Sequence, residues 1–358
     1  MDLSSFKDPE LARGLIHSIE KWAPEHATLM EVCGTHTVAI ARNGLRTMMP
    51  EGVRLASGPG CPVCVTSNKD IDTVIALSRV PGVTIATFGD MMRVPGSTSS
   101  LLKEQAEGRS VSIVYSPLDA LKLAQENPDQ QIVFVGVGFE TTTPLVAMAI
   151  KRAKSLGLKN FSVFVAHKNM PGALETIVSD PSLRIDALIL PGHVSTIIGM
   201  KPYEFLAKKY GIPGVITGFE AVDVLQGVAM IMRQLHEGRA EIEIAYTRGV
   251  APEGNQVAVA AINEVFHTVD ATWRGLGVIP GSGYAIRPEF AEFDAFQRFE
   301  PAVEPTQEPK GCRCGDVVRG MMAPNECPLF RKVCTPENPV GPCMVSSEGS
   351  CAAYFRYL

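Results

Sequence analysis

The sequence predicts an α/β fold with two small doubly wound halves and a cysteine-rich C-terminal tail. Three observations lead to this prediction: short β-branched runs that end in Gly or Pro, helix-length segments of mixed polarity between them, and six of the nine cysteines within the last 48 residues. Most of the strand candidates are continuous apolar runs. Strands of this kind are typical of parallel sheets that are covered by helices on both faces.

The alternation of strand and helix is clearest from Lys69 to Glu243. The predicted strands are, in chain order, Gly82–Phe88, Val111–Tyr115, Gln131–Val137, Phe161–Ala166, Ala187–Leu190 and Gly214–Thr217. Two segments, Ser116–Glu126 and Glu220–Glu237, have apolar residues three and four positions apart, which predicts helices. We therefore expect four regions: an N-terminal helical segment (1–29), a first α/β domain (30–128), a second α/β domain (129–270) and a C-terminal domain (271–358).

Composition narrows the class of protein. A 358-residue chain with 46% hydrophobic and 20% charged residues has enough apolar material for more than one packed core. Its net charge of −5 gives no sequence-wide positive field, so we expect no binding to nucleic acid. The start of the sequence lacks the basic and apolar regions of a secretory signal, and the longest apolar stretch is interrupted by Glu140. We expect a cytoplasmic protein that does not enter a membrane.

The C-terminal cysteines give the strongest chemical signal. Cys312, Cys327, Cys334 and Cys351 follow the spacing C-x14-C-x6-C-x16-C, with no close C-x2-C pair of the zinc-module type. Cys312 and Cys314 are separated by one residue, so we do not expect Cys314 or Cys343 to be ligands. Thiolates select zinc or iron-sulfur clusters. The spacing favours an iron-sulfur cluster, with zinc or inert buried cysteines as the alternatives.

A second signal lies near the N-terminus, where Cys61 and Cys64 form a C-x-x-C turn within Gly58–Cys64. Such a turn is typical of dithiol redox chemistry in a reducing compartment. Upstream, Cys33 and His36 are also separated by two residues. These four side chains could form a Cys3His zinc site, a reactive thiol and metal site, or no common site at all.

Further polar residues follow apolar strands. Gly136–Pro144 leads from a strand into a helix and could either bind an anion or cap that helix, but it does not match a dinucleotide fingerprint. There is also no Gly-Lys pair, which excludes a P-loop. His167 and His193 also follow strands, where α/β proteins build their crevices. We expect each of them to be an ordinary hydrogen-bonded loop histidine.

Five of these features together resemble the HypD family of NiFe-hydrogenase maturation factors. They are Cys33–Thr37, Gly58–Cys64, Gly138–Pro144, Pro191–Ser195 and the C-x14-C-x6-C-x16-C tail, in the same order along nearly the whole chain and without a departure at any of these positions. The resemblance implies two Rossmann-like α/β domains and an irregular or helical C-terminal domain that holds a 4Fe-4S cluster on Cys312, Cys327, Cys334 and Cys351.

The resemblance also implies a division of roles in assembling the Fe(CN)2CO group. Cys33, with His36 beside it, would hold the iron together with the chaperone HypC, and HypE would deliver cyanide made with HypF. Cys61 and Cys64 would cycle between dithiol and disulfide, as in ferredoxin-thioredoxin reductase, with the cluster as an electron relay. The alternatives are a disulfide reductase that acts alone and a zinc-stabilised binding protein. No standard turnover reaction is readable from the residues.

Overall fold

The computed structural model describes residues 8–358, which form two parallel sheets, a β-hairpin and a C-terminal region of short helices. The strands are β1 (Ala27–Glu31), β2 (Val53–Ser57), β3 (Val83–Thr87), β4 (Ser110–Ile113), β5 (Gln131–Gly136), β6 (Phe161–Val165), β7 (Ala187–Pro191), β8 (Gly214–Thr217), β9 (Ile242–Ile244), β10 (Phe266–Trp273) and β11 (Gly277–Ile286). All six predicted strands are confirmed, each to within two residues at its ends.

Helices connect the strands and cover the sheets. They are α1 (Pro9–Trp22), α2 (Gly34–Arg42), α3 (Pro62–Val65), α4 (Asn68–Ser78), α5 (Leu101–Ala106), α6 (Pro117–Glu126), α7 (Thr143–Ser155), α8 (Met170–Ser179), α9 (Gly192–Ile198), α10 (Glu204–Tyr210), α11 (Ala221–Glu237), α12 (Gln256–Val265), α13 (Ala295–Phe299), α14 (Cys314–Val318), α15 (Pro342–Val345) and α16 (Ser350–Tyr357). The two predicted helices appear as α6 and α11. Among the described residues, no helix is both long and apolar enough to cross a membrane.

The two sheets divide the chain differently from the predicted boundary at residue 128. The five-stranded sheet has the order β2-β1-β7-β8-β9, and the four-stranded sheet has the order β4-β3-β5-β6. Because β3 pairs with β5, the boundary at 128 falls inside the four-stranded sheet. Likewise, β1 pairs with β7, so the five-stranded sheet combines residues from both predicted α/β domains. The segment 83–165 is thus inserted between two parts of the other unit.

Both sheets are buried on both faces, as their continuous apolar strands predict. In the five-stranded sheet, Leu29 packs with residues of α1 and α11, and its neighbour Met30 packs on the opposite face with residues of α8 and α10. In the four-stranded sheet, Val133 packs against α4, and Phe134 packs against α6 and α7. Successive strand residues point to opposite faces, so each strand contributes to two cores.

The ends of the chain differ from the expected regions in detail. The predicted N-terminal helical segment contains α1, but β1 begins within it at Ala27; residues 1–7 of that segment lie outside the described residues. The predicted C-terminal domain begins at 271, inside the β10–β11 hairpin, and Trp273 of this hairpin packs into the core of the five-stranded sheet. Only the part from about Cys312 onward is the short-helical region that the sequence predicts.

Candidate functional site

A cleft of about 630 Å³ lies between the two sheets. Its walls come from the segments that follow β1, β2, β3, β4, β5 and β7, together with a short segment of the C-terminal region. Its lining includes Cys33, Thr35, Pro62, Val63, Tyr115, Thr141, Thr142, His193 and Glu348. The carboxyl ends of parallel strands are where open α/β sheets bind ligands, and here both sheets present that end to one cleft.

Cys33 lies at the end of β1 and directly precedes α2. Its backbone N–H donates to Oε2 of the buried Glu31 at 3.2 Å. The loop that carries the C-x-x-C turn rests on it: Gly34 N–H donates to the Gly60 carbonyl at 3.0 Å, and a Cβ at Gly60 would lie 2.2 Å from the Cys33 nitrogen. The fold therefore brings the Cys33 motif and the dithiol turn into direct contact.

The charge state of Cys33 is set by opposing effects. Burial and the nearby charge of Glu348 raise the pKa of its thiol to about 12, against the opposing effect of the Thr35 and His36 backbone N–H groups. Glu348 is held in place by Thr35, whose hydroxyl donates to Oε1 at 2.8 Å. Cys33 is therefore a protonated thiol near neutral pH, and a positive charge such as a metal ion is needed to make it a thiolate.

Replacing Glu348 with glutamine is expected to make Cys33 more reactive in the free protein. The change removes a negative charge that opposes the thiolate, so the pKa of Cys33 should fall, and its alkylation at pH 8 should be faster by about threefold or more. The measurement is the pH profile of iodoacetamide labelling at the Cys33 peptide by mass spectrometry. Glu326→Gln, at an exposed carboxylate of the C-terminal region, is the control. An unchanged profile in Glu348→Gln would contradict this account of the thiol.

His36 is placed beneath the cleft rather than in its wall. Its Nε2 lies 2.9 Å from the Gly218 carbonyl oxygen and 2.8 Å from the Thr217 hydroxyl, and burial lowers its pKa to about 4. The ring stacks on Phe219, which in turn stacks on His193 at 3.8 Å between centroids. The His36 ring is fully buried and does not line the cleft, whereas His193 does; a part for His36 in orienting the iron stays a prediction.

The dithiol turn separates the cleft from a second group of cysteines. Cys61 and Cys64 are joined by a disulfide bond, and both are buried. Pro62 and Val63, between them, line the cleft. On the other side, Cys61 and Cys64 pack in one buried cluster with Cys314 and Cys343. A Cys3His zinc site would require the Cys61–Cys64 bond to open and His36 to give up its hydrogen bonds with Thr217 of β8 and with Gly218, the residue after β8.

The C-terminal cysteines line a common pocket. Six cysteines line it: the four predicted ligands Cys312, Cys327, Cys334 and Cys351, together with Cys314 and Cys343. Leu329, Phe330 and Met344 complete an apolar wall. Within residues 8–358, no three Cys, His, Asp or Glu side chains are arranged around a point that would hold a single metal ion. An all-sulfur donor set in an apolar pocket is nevertheless what an iron-sulfur cluster requires, so these residues fit the expected group.

Cys314 and Cys343, which the spacing excludes as ligands, have a distinct position. Their Sγ atoms lie 2.7 Å apart, between the dithiol turn and the pocket. Hydrogen bonding to Cys312 and to Cys343 lowers the pKa of Cys314, whereas hydrogen bonding to Cys314 raises the pKa of Cys343. The sequence leaves open whether the tail folds against the dithiol. The structure places the two groups of cysteines in contact through this pair.

The segment after β5 has both structural and cleft-facing residues. Glu140 is buried, and its Oε1 accepts the Met170 N–H at 3.0 Å, which ties this segment to the first residue of α8. Burial raises the pKa of Glu140 to about 7. Thr141 and Thr142 line the cleft, and Thr142 is the N-cap of α7 without a side-chain capping bond, so anion binding and helix capping both stay open. His167 is not the hydrogen-bonded loop histidine expected, because neither of its buried ring nitrogens has a partner among the described residues.

Sequence reasoning did not identify Glu348 as part of the site. This carboxylate lies three residues before Cys351, in a stretch without a recognisable motif, and reaches Cys33 only through the tertiary fold. The signal for Cys314 and Cys343 was available in principle. The tail contains two cysteines besides the four predicted ligands, which indicates a second role for thiols. Their spacing does not reveal that role.

Comparison with known proteins identifies the family. The HypD family model, described as "Hydrogenase formation hypA family", matches residues 10–358. "Hydrogenase maturation factor HypD" of Azotobacter vinelandii is 48% identical over 99% of this chain and 96% of its own length, and that of Rhodobacter capsulatus is 47% identical over 99% and 97%. "Putative hydrogenase expression/formation protein MJ0993" of Methanocaldococcus jannaschii is 43% identical over 99% of both chains. This chain therefore belongs to the HypD family.

Proposed function

We propose that this protein is a NiFe-hydrogenase maturation factor that holds iron at Cys33 while the Fe(CN)2CO group is assembled. The observation that carries the proposal is the position of Cys33: it lies in the wall of a large cleft and in direct contact with a disulfide-bonded C-x-x-C loop, which itself contacts a cysteine-rich pocket. The names of the relatives, which are hydrogenase maturation and formation proteins, support the same pathway.

Iron bound at Cys33 would be the cargo of this site. A soft sulfur ligand suits an iron that also carries cyanide and carbon monoxide, and the open cleft leaves room for these ligands and for a partner. The Cys33 thiol loses its proton when iron binds, because the positive charge of the metal stabilises the thiolate. In this proposal His36 positions His193 through Phe219 rather than binding the iron itself.

The dithiol would supply the electrons that release cyanide from a thiocyanate carrier. Cys61 and Cys64 as thiols reduce the carrier R–S–C≡N to R–SH and HCN, and they become the disulfide seen here, with two electrons and two protons transferred. A 4Fe-4S cluster on Cys312, Cys327, Cys334 and Cys351 would supply electrons one at a time. Cys314 and Cys343, in contact with both groups, connect that pocket to the disulfide.

The family resemblance supplies the partners in this proposal. HypC would share the iron with Cys33, and HypE would present the cyanide that it makes with HypF. A cleft that is walled by two sheets and open to solvent fits a site that must admit a segment of another protein. Tyr115, which is 91% exposed at the rim of the cleft, offers such a segment an aromatic contact.

The test is Cys33→Ala, purified anaerobically in complex with HypC. Infrared spectroscopy should lose the cyanide and carbon monoxide stretching bands of the bound iron, while the visible absorption of the cluster stays at the wild-type level. Ser78→Ala, at a buried small side chain of α4 outside the cleft wall, is the control, and it should keep the wild-type infrared bands. Wild-type infrared bands in Cys33→Ala would refute the proposed role of Cys33.

A disulfide reductase that acts alone is the second candidate. The contact between the Cys61–Cys64 disulfide and the Cys314 and Cys343 thiols favours it, because thiols adjacent to a disulfide are the arrangement that such an enzyme needs. It predicts that the isolated chain, with an external electron donor, turns over a small disulfide. The maturation factor should show no such turnover without its partners.

A further inference from the structure

Arg274 is a buried arginine in the turn between β10 and β11. Its side chain is 4% exposed. Its backbone N–H donates to the Val65 carbonyl at 2.8 Å, and its Nε donates to the Thr66 carbonyl at 3.0 Å. Val65 directly follows Cys64, so one arginine holds two successive carbonyls at the end of the dithiol turn.

The same turn also contacts the segment that carries Cys314. A Cβ at Gly275 would lie 2.3 Å from the Gly315 Cα, and a Cβ at Gly315 would lie 2.9 Å from the Gly275 Cα. The two backbones approach so closely that neither position has space for a side chain. Arg274 and Gly275 therefore fix the dithiol turn and the Cys314 segment relative to each other.

The guanidinium of Arg274 is only partly neutralised. Its Nη1 lies 3.7 Å from Glu308, whose side chain is 67% exposed, and its buried Nη2 has no hydrogen-bond partner among the described residues. The backbone contact between Gly275 and Gly315 places this cation next to the segment that carries Cys314. Burying a cation with an unpaired donor costs folding free energy. A group of this kind next to four cysteines is therefore a candidate for a functional role.

We propose that Arg274 is a positioning residue for thiol–disulfide exchange between the Cys61–Cys64 disulfide and the Cys314 and Cys343 thiols. The inference rests on the proposed redox function. In the exchange, the Cys61–Cys64 bond breaks, a Cys314–Cys343 bond forms, and two protons and two electrons pass to Cys61 and Cys64. No outside reductant is consumed in this step.

Two effects of Arg274 serve this exchange. Its bonds to Val65 and Thr66 hold the dithiol turn within reach of Cys314, and its positive charge stabilises the negative charge that passes from one sulfur to another. Glu308 weakens the second effect, because its carboxylate partly neutralises the guanidinium. Arg274 and Glu308 should therefore influence the exchange in opposite directions.

The experiment follows one disulfide as it migrates within the full chain. Anaerobic, fully reduced protein receives one equivalent of diamide, and samples are acid-quenched and alkylated at successive times. Mass spectrometry then measures the fraction of disulfide at Cys61–Cys64 and at Cys314–Cys343. Arg274→Met should slow migration about tenfold or more, because one charge-assisted interaction is lost. Arg274→Lys keeps the positive charge and should restore part of the rate. Glu308→Gln should speed migration, and Arg233→Met, at an exposed arginine of α11 paired with Glu237, should leave it unchanged.

The outcomes separate this inference from the proposed function. If the disulfide migrates at the wild-type rate in both Arg274→Met and Glu308→Gln, the role of Arg274 is overturned and the relay stays intact. An absence of migration in the wild type would overturn the relay itself, and the inference with it. If Arg274→Met fails to fold, Glu308→Gln decides, because its exposed side chain is not needed for packing; a slower or unchanged rate in that variant would refute the proposal.

Discussion

Replacing Cys334 with alanine is expected to remove nearly all iron and acid-labile sulfide from the anaerobically purified protein. Cys334 is buried in the cysteine pocket, and its thiol accepts the Val340 N–H at 3.4 Å, which orients it within the pocket. A cluster that is held by four thiolates loses a quarter of its protein ligands in this variant. Iron and sulfide analysis together with the ultraviolet-visible spectrum measures the result, with about four of each expected in the wild type.

Cys343→Ala is the matched control for this prediction. Cys343 lines the same pocket and is also buried, but the spacing of the sequence excludes it from the ligand set. The variant should keep its iron and sulfide and lose only the thiol pair with Cys314. If Cys343→Ala loses the cluster and Cys334→Ala keeps it, the ligand assignment is wrong. Stoichiometric zinc in place of iron in the wild type would overturn the cluster and its electron relay.

The sequence predicts individual strands well because burial on both faces leaves a local signature. Most of the six predicted strands are continuous apolar runs, and all six are found. β1 contains Thr28 and Glu31, and β2 contains Arg54 and Ser57, so the apolar signature is interrupted and these strands were missed. Glu31 is tolerated inside because it accepts bonds from Cys33 and Thr37, a compensation that depends on the tertiary fold.

The assignment of strands to sheets could not be read in the same way. Every parallel pair needs a crossover connection, and the chain gives no local sign of whether the next strand joins the same sheet or another one. The helix after β2 leads to a new sheet, whereas the helix after β5 leads back to its neighbour β6. The boundary predicted at residue 128 assumes that strands which are close along the chain belong to the same sheet. Position along the chain does not determine strand pairing.

The site shows the same division between local and tertiary information. Cys33, Cys61 and Cys64 carry their chemistry in short motifs, and the structure brings these motifs together. His36 belongs to the same motif as Cys33, but one helical turn directs its ring toward β8 instead of the cleft. Glu348 comes from a distant segment that only the folded chain places against Thr35. Motifs thus identify reactive groups, while their electrostatic partners depend on tertiary contacts.

Gly60→Ala is expected to destabilise the protein and to disturb Cys33 at the same time. The added Cβ would lie 2.2 Å from the Cys33 nitrogen and 2.5 Å from the Val32 carbonyl carbon, and both are backbone atoms that cannot rotate away. Relief requires the dithiol loop to move off the end of β1, which breaks the bond from Gly34 N–H to the Gly60 carbonyl. Overpacking of this kind costs about 2–4 kcal/mol of unfolding free energy.

Urea denaturation followed by circular dichroism measures the loss of stability, and iodoacetamide labelling of Cys33 reports on the site. Labelling should be faster in Gly60→Ala, because a displaced loop exposes a thiol that is now buried. Gly14→Ala is the matched control: it lies inside α1 with open space around its Cα, so the same added methyl group should leave stability unchanged or raise it by about 1 kcal/mol. Wild-type stability and labelling in Gly60→Ala would show that the dithiol loop does not rest on Cys33, and the shared site inferred for the two motifs would then have no structural basis.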